Sequence, residues 1–324
     1  MQSNGSMKRA RRAMALCALA VGAPAAAVEL QSREDAWWTG PMLAASGASL
    51  PQGHFLVEPY LFNIVTTGRL DANGDRHSVR AENDLGSLTY MLYGLTDRWT
   101  VGMIPRFFYN MPPGGANSSG IGVGDLTVQA GYGITQFQDG HRIPSIALVL
   151  DETLPTGRYD QLDHPSNGFG AGAYTTGFSL YSQQYFWMPN GRILRARLDL
   201  TYAVSSSVSL TDQSVYGTPV GFRGHATPGD SATVDASAEY SLTREWVLAL
   251  DVVYQHNAST HLHGTQADGE VSADSGSSYS LGFAPAIEYN WSARAGVLLG
   301  VRIIPIGRNT SATITPAVAI NLVF

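Results

Sequence analysis

The sequence predicts an all-β protein, a transmembrane antiparallel β-barrel of about 12 strands with short periplasmic turns and longer extracellular loops. Three observations predict it: an export signal, long segments in which apolar and polar residues alternate, and an aromatic residue at the C-terminus. The composition agrees, because 44% of the residues are hydrophobic and only 14% are charged. No apolar run after the export signal approaches the roughly 18 residues that a membrane helix needs.

The first 27 residues have the organisation of a secretory signal peptide. Residues 7–12, "MKRARR", are strongly basic, residues 13–23 form a short apolar core, and residues 25–27 are alanines suited to cleavage. The only cysteine, Cys17, lies inside this signal, so we expect a mature chain without thiols or disulfides. An exported chain rich in β-forming residues is either a periplasmic β-domain or an outer-membrane barrel.

The alternation favours the barrel. In residues 192–204, Leu198 and Leu200 fall on one face of an extended strand, whereas Arg197 and Asp199 fall on the other. Segments of this kind occur at approximately 53–66, 83–95, 98–110, 123–137, 142–155, 171–187, 191–205, 231–243, 245–257, 277–291, 293–306 and 311–324. Most are long enough for tilted membrane strands, which need about 9–11 residues, so residues 53–324 are predicted to form the barrel.

The connections between these segments alternate in length. Stretches such as "LTDRW", "MPNGR" and "LTREW" predict tight turns. Longer polar loops are predicted around 67–82, 111–122, 156–170, 206–230 and 258–276. Aromatic residues next to the tight turns predict a membrane-interface girdle of Trp99, Phe137, Trp187, Trp246 and Trp291.

The last strand resembles the signal that bacterial outer-membrane barrels present to their assembly machinery. The chain ends on Phe324, with Leu322 and Ile320 on the same face, and we expect these three residues to form that signal. Pro316 lies in the middle of this strand and cannot donate a ladder hydrogen bond, so a β-bulge is expected there. An even number of strands places both ends of the barrel on the periplasmic side.

The polar faces of the strands supply charges of both signs to the barrel interior. The charged residues predicted to line the lumen are Glu58, Arg106, Asp151, Arg195, Arg197, Asp199, Asp235, Glu239, Asp251, Glu288, Arg294 and Arg302. Because neither sign dominates, we expect these groups to pair and to narrow the lumen. The segment 28–52 precedes the first strand without any alternation, and the sequence leaves open whether it lies at the periplasmic mouth or fills the lumen as a plug.

Five pieces of the chain, in fixed order, carry a family resemblance. They read "WWTGPMLAASGASLPQGHFLVEPYLF", "YGLTDRWTVGMIPRF", "GVGDLTVQAGYGI", "LPTGRYDQL" and "AINLVF". They resemble the bacterial family named for the meta-pathway of phenol degradation, a group of outer-membrane barrels labelled as transporters. The resemblance implies a barrel in the outer membrane of a Gram-negative bacterium that passes small, hydrophobic or aromatic compounds. It supplies no active-site residues.

The stretch "HPSNG", residues 164–168, resembles the nucleophile region of outer-membrane phospholipase A, which is also described as a twelve-stranded barrel. Such chemistry needs His164 as base, Ser166 as nucleophile and a third group that orients the imidazole. About a dozen residues beyond Ser166 the chain offers no Asn, Asp, Glu or His. The sequence therefore predicts that the protein is not an enzyme, and His164 with Ser166 remains the alternative.

Three functions stay open at this point: a transporter or narrow channel, a lipid hydrolase that uses Ser166, and a structural or adhesive barrel. The expected partners are outer-membrane lipids, the barrel-assembly machinery and a small-molecule solute, with no nucleic acid and no cofactor. The loop histidines His256, His261 and His263 could ligate a metal ion, but nothing fixes their spacing, so no metal site is predicted.

Overall fold

The computed structural model describes residues 29–140 and 142–324, and the predicted signal peptide, residues 1–27, lies outside them. Two short 3-10 helices, Arg33–Asp35 and Pro165–Asn167, accompany eighteen strands. The strands are β1 (Phe55–Leu70), β2 (Arg76–Gly94), β3 (Trp99–Ile104), β4 (Arg106–Met111), β5 (Gly122–Val123), β6 (Leu126–Thr135), β7 (Ser145–Leu154), β8 (Thr175–Trp187), β9 (Ile193–Ser205), β10 (Val208–Thr211), β11 (Arg223–Thr227), β12 (Ser231–Ser241), β13 (Trp246–Asn257), β14 (His261–Gln266), β15 (Gly269–Asp274), β16 (Ser278–Ser292), β17 (Ala295–Arg308) and β18 (Thr310–Val323). Within the described residues, no helix is long and apolar enough to cross a membrane.

Fourteen of these strands form one closed antiparallel sheet, because β1 pairs with both β2 and β18. β3 and β4 are a single barrel strand broken at Pro105, and β5 and β6 are another, broken at Gly124 and Asp125. The barrel therefore has 12 strands, as the sequence predicts. Closure leaves the barrel without an open sheet edge, which is the condition for a β-structure to span a lipid bilayer.

The two faces of each barrel strand differ as the alternation predicts. On β9, Leu198 and Leu200 are more than 40% exposed on the outer surface, whereas Arg197 and Asp199 are buried inside. An apolar outer face suits hydrocarbon, and the polar residues are restricted to the lumen. The same division holds on β13, where Leu250 lies outside and Asp251 inside.

The short connections lie on one side of the barrel, at residues 95–98, 136–144, 188–192, 242–245 and 293–294. This side is the periplasmic one by the usual layout of such barrels. Three aromatic residues next to these turns point outward, since Trp99, Trp246 and Trp291 are each more than 40% exposed. Trp99 and Trp246 pack against Tyr132 and Tyr289 with ring centroids 5.0 and 4.7 Å apart, which builds an interfacial girdle.

Two of the aromatics predicted for the girdle lie elsewhere. Phe137 is buried, and the Trp187 indole donates a hydrogen bond of 2.8 Å to the carbonyl of Gln31 inside the barrel. Both side chains contact the N-terminal segment where it enters the lumen. An aromatic residue next to a turn can point outward to the membrane or inward to the lumen. The predicted girdle position is therefore wrong for Phe137 and Trp187.

The extracellular side is more ordered than the sequence predicts. The loop expected at 67–82 is a continuation of β1 and β2, which stay paired up to Leu70 and Arg76 and leave a five-residue turn. In the loops expected at 206–230 and 258–276, β10, β11, β14 and β15 form a separate four-stranded sheet. Phe222 and Leu210 are buried in its core. Strands of only four to six residues carry too little alternation to be separated from loops.

Pro316 causes no bulge. The pairs Gly300–Ala317, Val301–Pro316 and Arg302–Thr315 keep one register, and pairing with β1 keeps the same register on both sides of the proline. In an antiparallel sheet a residue bonds to one neighbouring strand at a time. The missing N–H therefore removes at most one bond and does not shift the strand.

The C-terminal residue is held by its backbone and not by its side chain. The Phe324 amide donates to the carbonyl of Phe55 at 2.8 Å, while the side chain is 65% exposed.

We predict that Phe324→Ala lowers the amount of folded barrel in the outer membrane of cells several-fold but leaves refolding of the purified chain into detergent unchanged. Heat-dependent gel mobility measures both. Ile314→Ala, which removes an equally outward apolar side chain from the middle of β18, is the control, and an equal loss for both variants would contradict a terminal assembly signal.

Candidate functional site

The N-terminal segment, residues 29–52, fills much of the lumen. It enters at the periplasmic end beside Ile193, rises to mid-barrel at Met42–Ala45, and returns to the periplasmic end next to Thr100, where β1 begins. The sequence left open a position at the mouth or inside the barrel. The segment is a plug, and we call residues 42–45 its apex.

Carboxylates on the barrel wall hold the backbone of the plug. The Thr39 amide donates to Glu288 Oε2 at 2.7 Å. The Met42 and Ala44 amides donate to the two oxygens of Asp251 at 3.0 and 3.1 Å. The plug forms no strand, so its amides need acceptors from elsewhere, and the buried carboxylates need donors. These amides and the carboxylate oxygens that accept from them satisfy one another.

A third carboxylate reaches the end of the apex, where the Ala45 amide donates to Asp199 Oδ2 at 2.6 Å. Glycines allow the neighbouring turns. Gly40 has a φ of +126°, which a residue with a side chain rarely adopts. A Cβ at Gly47 would lie 2.8 Å from both the Gln183 amide nitrogen and the Ser145 carbonyl oxygen, so only glycine fits against this wall.

Below the apex lies a buried ion cluster. Arg195 binds both carboxylate oxygens of Glu239, with Nε 2.6 Å from Oε2. Arg197 Nε lies 3.1 Å from the same Oε2, and its Nη1 donates to the Ala44 carbonyl at 2.8 Å. The Trp38 ring stacks 4.5 Å from the Arg195 guanidinium. The cluster therefore ties three wall residues to the plug.

Where the plug enters, aromatic and cationic groups anchor it. The Arg33 guanidinium lies 5.2 Å from the Phe137 ring centroid and 5.3 Å from that of Tyr185. Gln31 accepts a hydrogen bond from Trp187, as described above, and its Nε2 donates to Ser241 Oγ at 2.9 Å. Both ends of the plug are thus fixed to the periplasmic rim.

Above the apex, the described residues enclose a vestibule and two inner cavities. A vestibule of about 650 Å³ opens to the extracellular side. It shares Ile64, Arg106 and Phe108 with an inner cavity of about 280 Å³, the aromatic chamber. It shares Arg106, Thr153 and Thr175 with a second inner cavity of about 320 Å³, the acidic chamber. Leu43 of the apex borders both inner chambers.

The aromatic chamber is lined mainly by apolar side chains on the wall built from β1, β2 and β4. These are Tyr60, Phe62, Ile64, Leu88, Tyr90 and Phe108. Tyr60 packs edge-on against Tyr90 with centroids 6.0 Å apart, and Phe62 packs edge-on against Phe108 at 6.3 Å. The arrangement offers ring faces and edges to an aromatic guest.

Two smaller cavities of about 240 and 220 Å³ lie below the apex and share Ala45, Leu56 and Leu92. Tyr60, Tyr90 and Leu43 border both the aromatic chamber and the first of these lower cavities. The cavities therefore adjoin one another from the vestibule to the periplasmic half, with the apex as the constriction.

The structure places most of the predicted lumenal charges on the inner wall. Those buried are Arg195, Arg197, Asp199, Asp235, Glu239, Asp251 and Glu288, and those lining cavities while partly exposed are Glu58, Arg106, Asp151 and Arg302. Arg294 is a correction. It lies exposed in the tight turn between β16 and β17, because this two-residue turn ends the alternation before its position.

His164 and Ser166 are not arranged as a base and a nucleophile. The buried Ser166 hydroxyl donates to the carbonyl of Ala116 at 2.7 Å, and the Ser166 carbonyl accepts from Ser118 Oγ at 2.6 Å. His164 precedes the Pro165–Asn167 helix in an extended conformation. Ser166 therefore joins two extracellular loops. Among residues 29–140 and 142–324, no cluster of His, Cys, Asp and Glu could hold a metal ion.

Sequence reasoning missed the aromatic chamber and the acceptors of the plug. Tyr60, Phe62 and Phe108 stand at inward positions, and their apolar character disturbs the polar inner face of β1 and β4. Apolar residues at inward positions of β1 and β4, where the alternation predicts polar residues, were therefore the signal that could have indicated the chamber. No signal could have identified the plug amides, because every residue except proline carries the same backbone donor.

Comparison with known proteins agrees with this architecture. The family model described as "Putative MetA-pathway of phenol degradation" matches residues 46–310. The crystal structure of an outer membrane channel from Pseudomonas putida F1 superposes with a TM-score of 0.68 at 17% identity, covering 87% of this chain and 100% of that one. This likeness shows the fold.

Two further structures are more distant. A deletion mutant of TodX, a monoaromatic hydrocarbon channel, gives a TM-score of 0.43 at 11% identity, covering 93% of this chain and 99% of that one. The β domain of the Bordetella autotransporter BrkA gives 0.44 at 11% identity, covering 83% and 99%. A search of curated proteins finds no match.

The ion cluster generates a prediction about stability. Glu239→Gln removes the anion between two buried guanidinium groups, so we expect the free energy of unfolding to fall by about 3–5 kcal/mol. Urea titration of the folded barrel, followed by tryptophan fluorescence, measures it. The control is Asp163→Asn, which breaks the exposed ion pair with Arg158 and should cost no more than about 1 kcal/mol. Equal, small effects of both variants would contradict the role of the cluster.

Proposed function

We propose that this chain, which belongs to the family described as "Putative MetA-pathway of phenol degradation", is an outer-membrane channel for small hydrophobic or aromatic compounds. The observation that carries the proposal is the aromatic chamber, a cavity of about 280 Å³ that is lined mainly by apolar and aromatic side chains. It adjoins the extracellular vestibule on one side and a periplasmic-side cavity on the other.

The plug makes this channel narrow and selective. With the apex in place, a solute leaves the vestibule past Arg106 and Phe108. An apolar ring gains from the edge and face contacts in the chamber, whereas a strongly hydrated solute loses water there and finds few polar partners, chiefly Arg106 and Arg302. The chamber therefore favours small rings over sugars or salts.

The comparisons also support a channel for small aromatic compounds. The Pseudomonas putida F1 neighbour is described as an outer membrane channel, and the family description refers to the degradation of phenol, a small aromatic compound.

We further propose that the chain has no enzymatic role, because the Ser166 hydroxyl is engaged with the Ala116 carbonyl. A hydrolase would need that hydroxyl directed at its base.

The proposal is tested in planar bilayers with the purified, refolded protein. We expect small, steady openings that benzyl alcohol, a neutral monoaromatic solute, interrupts briefly. Phe108→Leu removes an inward ring and should shorten each interruption by about 2- to 10-fold, which corresponds to an aromatic contact of about 0.5–1.5 kcal/mol.

The control is Phe107→Leu, because Phe107 directly precedes Phe108 on β4 and points outward, with 42% exposure. It should leave the interruptions unchanged. Equal effects of the two variants would contradict the aromatic chamber as the solute route. A folded barrel that stays silent both with and without benzyl alcohol would contradict a channel and favour a structural role.

A further inference from the structure

The acidic chamber lies on the opposite side of Leu43 from the aromatic chamber, against the wall built from β6 to β9 and β12. Three carboxylates line it, Asp151, Asp199 and Asp235, and one guanidinium, that of Arg106. When all are ionised, three negative charges and one positive charge leave a formal balance of −2. The proposed channel for neutral rings has no use for this charge.

Two of the carboxylates have oxygens that nothing in the described residues satisfies. Asp199 and Asp235 are directly opposite each other on β9 and β12, and each is 6% exposed. The Oδ1 atom of each is buried without a hydrogen-bond partner among the residues that the structure describes. Like charges opposite each other destabilise a sheet, and an unpaired buried carboxylate costs more than an unpaired neutral group. A cationic guest would relieve both costs.

Two of the neighbouring cations of the wall are engaged with other groups. The Arg106 guanidinium donates to the Asp125 carbonyl at 3.1 Å and to Thr127 Oγ1 at 2.7 Å. Arg197 binds Glu239 and the plug, as described above. Arg302 lines the aromatic chamber, and its buried Nε has no hydrogen-bond partner among the described residues. Within the described part of the chain, no cationic side chain forms an ion pair with Asp199 or Asp235.

The size and lining of the chamber indicate which cation fits. A volume of about 320 Å³ exceeds that of a single dehydrated metal ion, and the described residues contain no cluster with metal-ligand spacing. Carboxylate and threonine oxygens, including those of Thr201 and Thr233, are acceptors suited to the three donors of an ammonium group. A primary amine with an organic substituent matches this site.

The two chambers meet, since Leu43, Tyr90 and Arg106 border both. We propose that the acidic chamber is a subsite for the ammonium group of small aromatic amines, whose ring occupies the aromatic chamber. This inference rests on the proposed function, because it extends the solute class from neutral rings to arylalkylammonium ions. The amine binds with its nitrogen between Asp199 and Asp235 above the apex.

Calorimetric titration of the refolded barrel with 2-phenylethylammonium and with 2-phenylethanol tests the proposal, because the two ligands share ring and chain and differ in the terminal group. The amine should bind at least about 10-fold more tightly, as hydrogen bonds to charged partners do. Asp235→Asn should remove this preference and leave 2-phenylethanol unaffected. Asp84→Asn, which makes the same charge change in the vestibule, should leave the preference intact.

Each outcome is decisive. If the alcohol binds and the amine binds no better, the ammonium subsite is wrong while the channel for neutral rings stands. If neither ligand binds, both proposals are wrong. If Asp84→Asn abolishes the preference as fully as Asp235→Asn does, the effect is one of general charge and the subsite is wrong. The comparison of the two ligands on the unmodified protein needs no variant, so a variant that fails to fold does not remove the test.

Discussion

The architecture depends on the hydrogen bonds between backbone amides of residues 39–45 and carboxylates of the barrel wall. Glu288, Asp251 and Asp199 come from three different strands, yet all three accept amides from this one short segment. At these buried positions, neither the amides nor the carboxylates could stay unpaired without a cost of several kcal/mol. Wall and plug are therefore stable only together.

This dependence divides the lumen into two functional halves. Below the apex, the charges of Arg195, Arg197 and Glu239 pair with one another. Above it, the wall carries groups with fewer protein partners, and the two inner chambers remain open to the vestibule. The apex forms the floor of both chambers. In the proposed channel, a solute that crosses the barrel has to pass this floor, so we expect the floor, and not the width of the barrel, to set selectivity and rate.

The sequence predicted the barrel well because strand alternation has a period of two and each lipid-facing strand has to be apolar on one side. Leu198 against Asp199 on β9 shows the pattern at single-residue resolution. It could not predict the plug, since residues 29–52 form no periodic element and their bonds are made by the backbone. Phe137 and Trp187 were assigned to the membrane girdle because an aromatic residue near a turn has the same sequence context on either face. Ser166 resembled a nucleophile by its neighbours in sequence, whereas its hydroxyl contacts a carbonyl 50 residues away.

Amide hydrogen exchange of residues 37–46 in the refolded, lipid-embedded barrel tests most directly whether the wall holds the plug. We expect the amides of Thr39, Met42, Ala44 and Ala45 to be strongly protected. Asp251→Asn, which weakens the acceptors of Met42 and Ala44, should accelerate exchange at those two positions first. Exchange of all four amides at the rate of an unstructured peptide would contradict the account, because the lumen would then lack its plug and the chambers their floor.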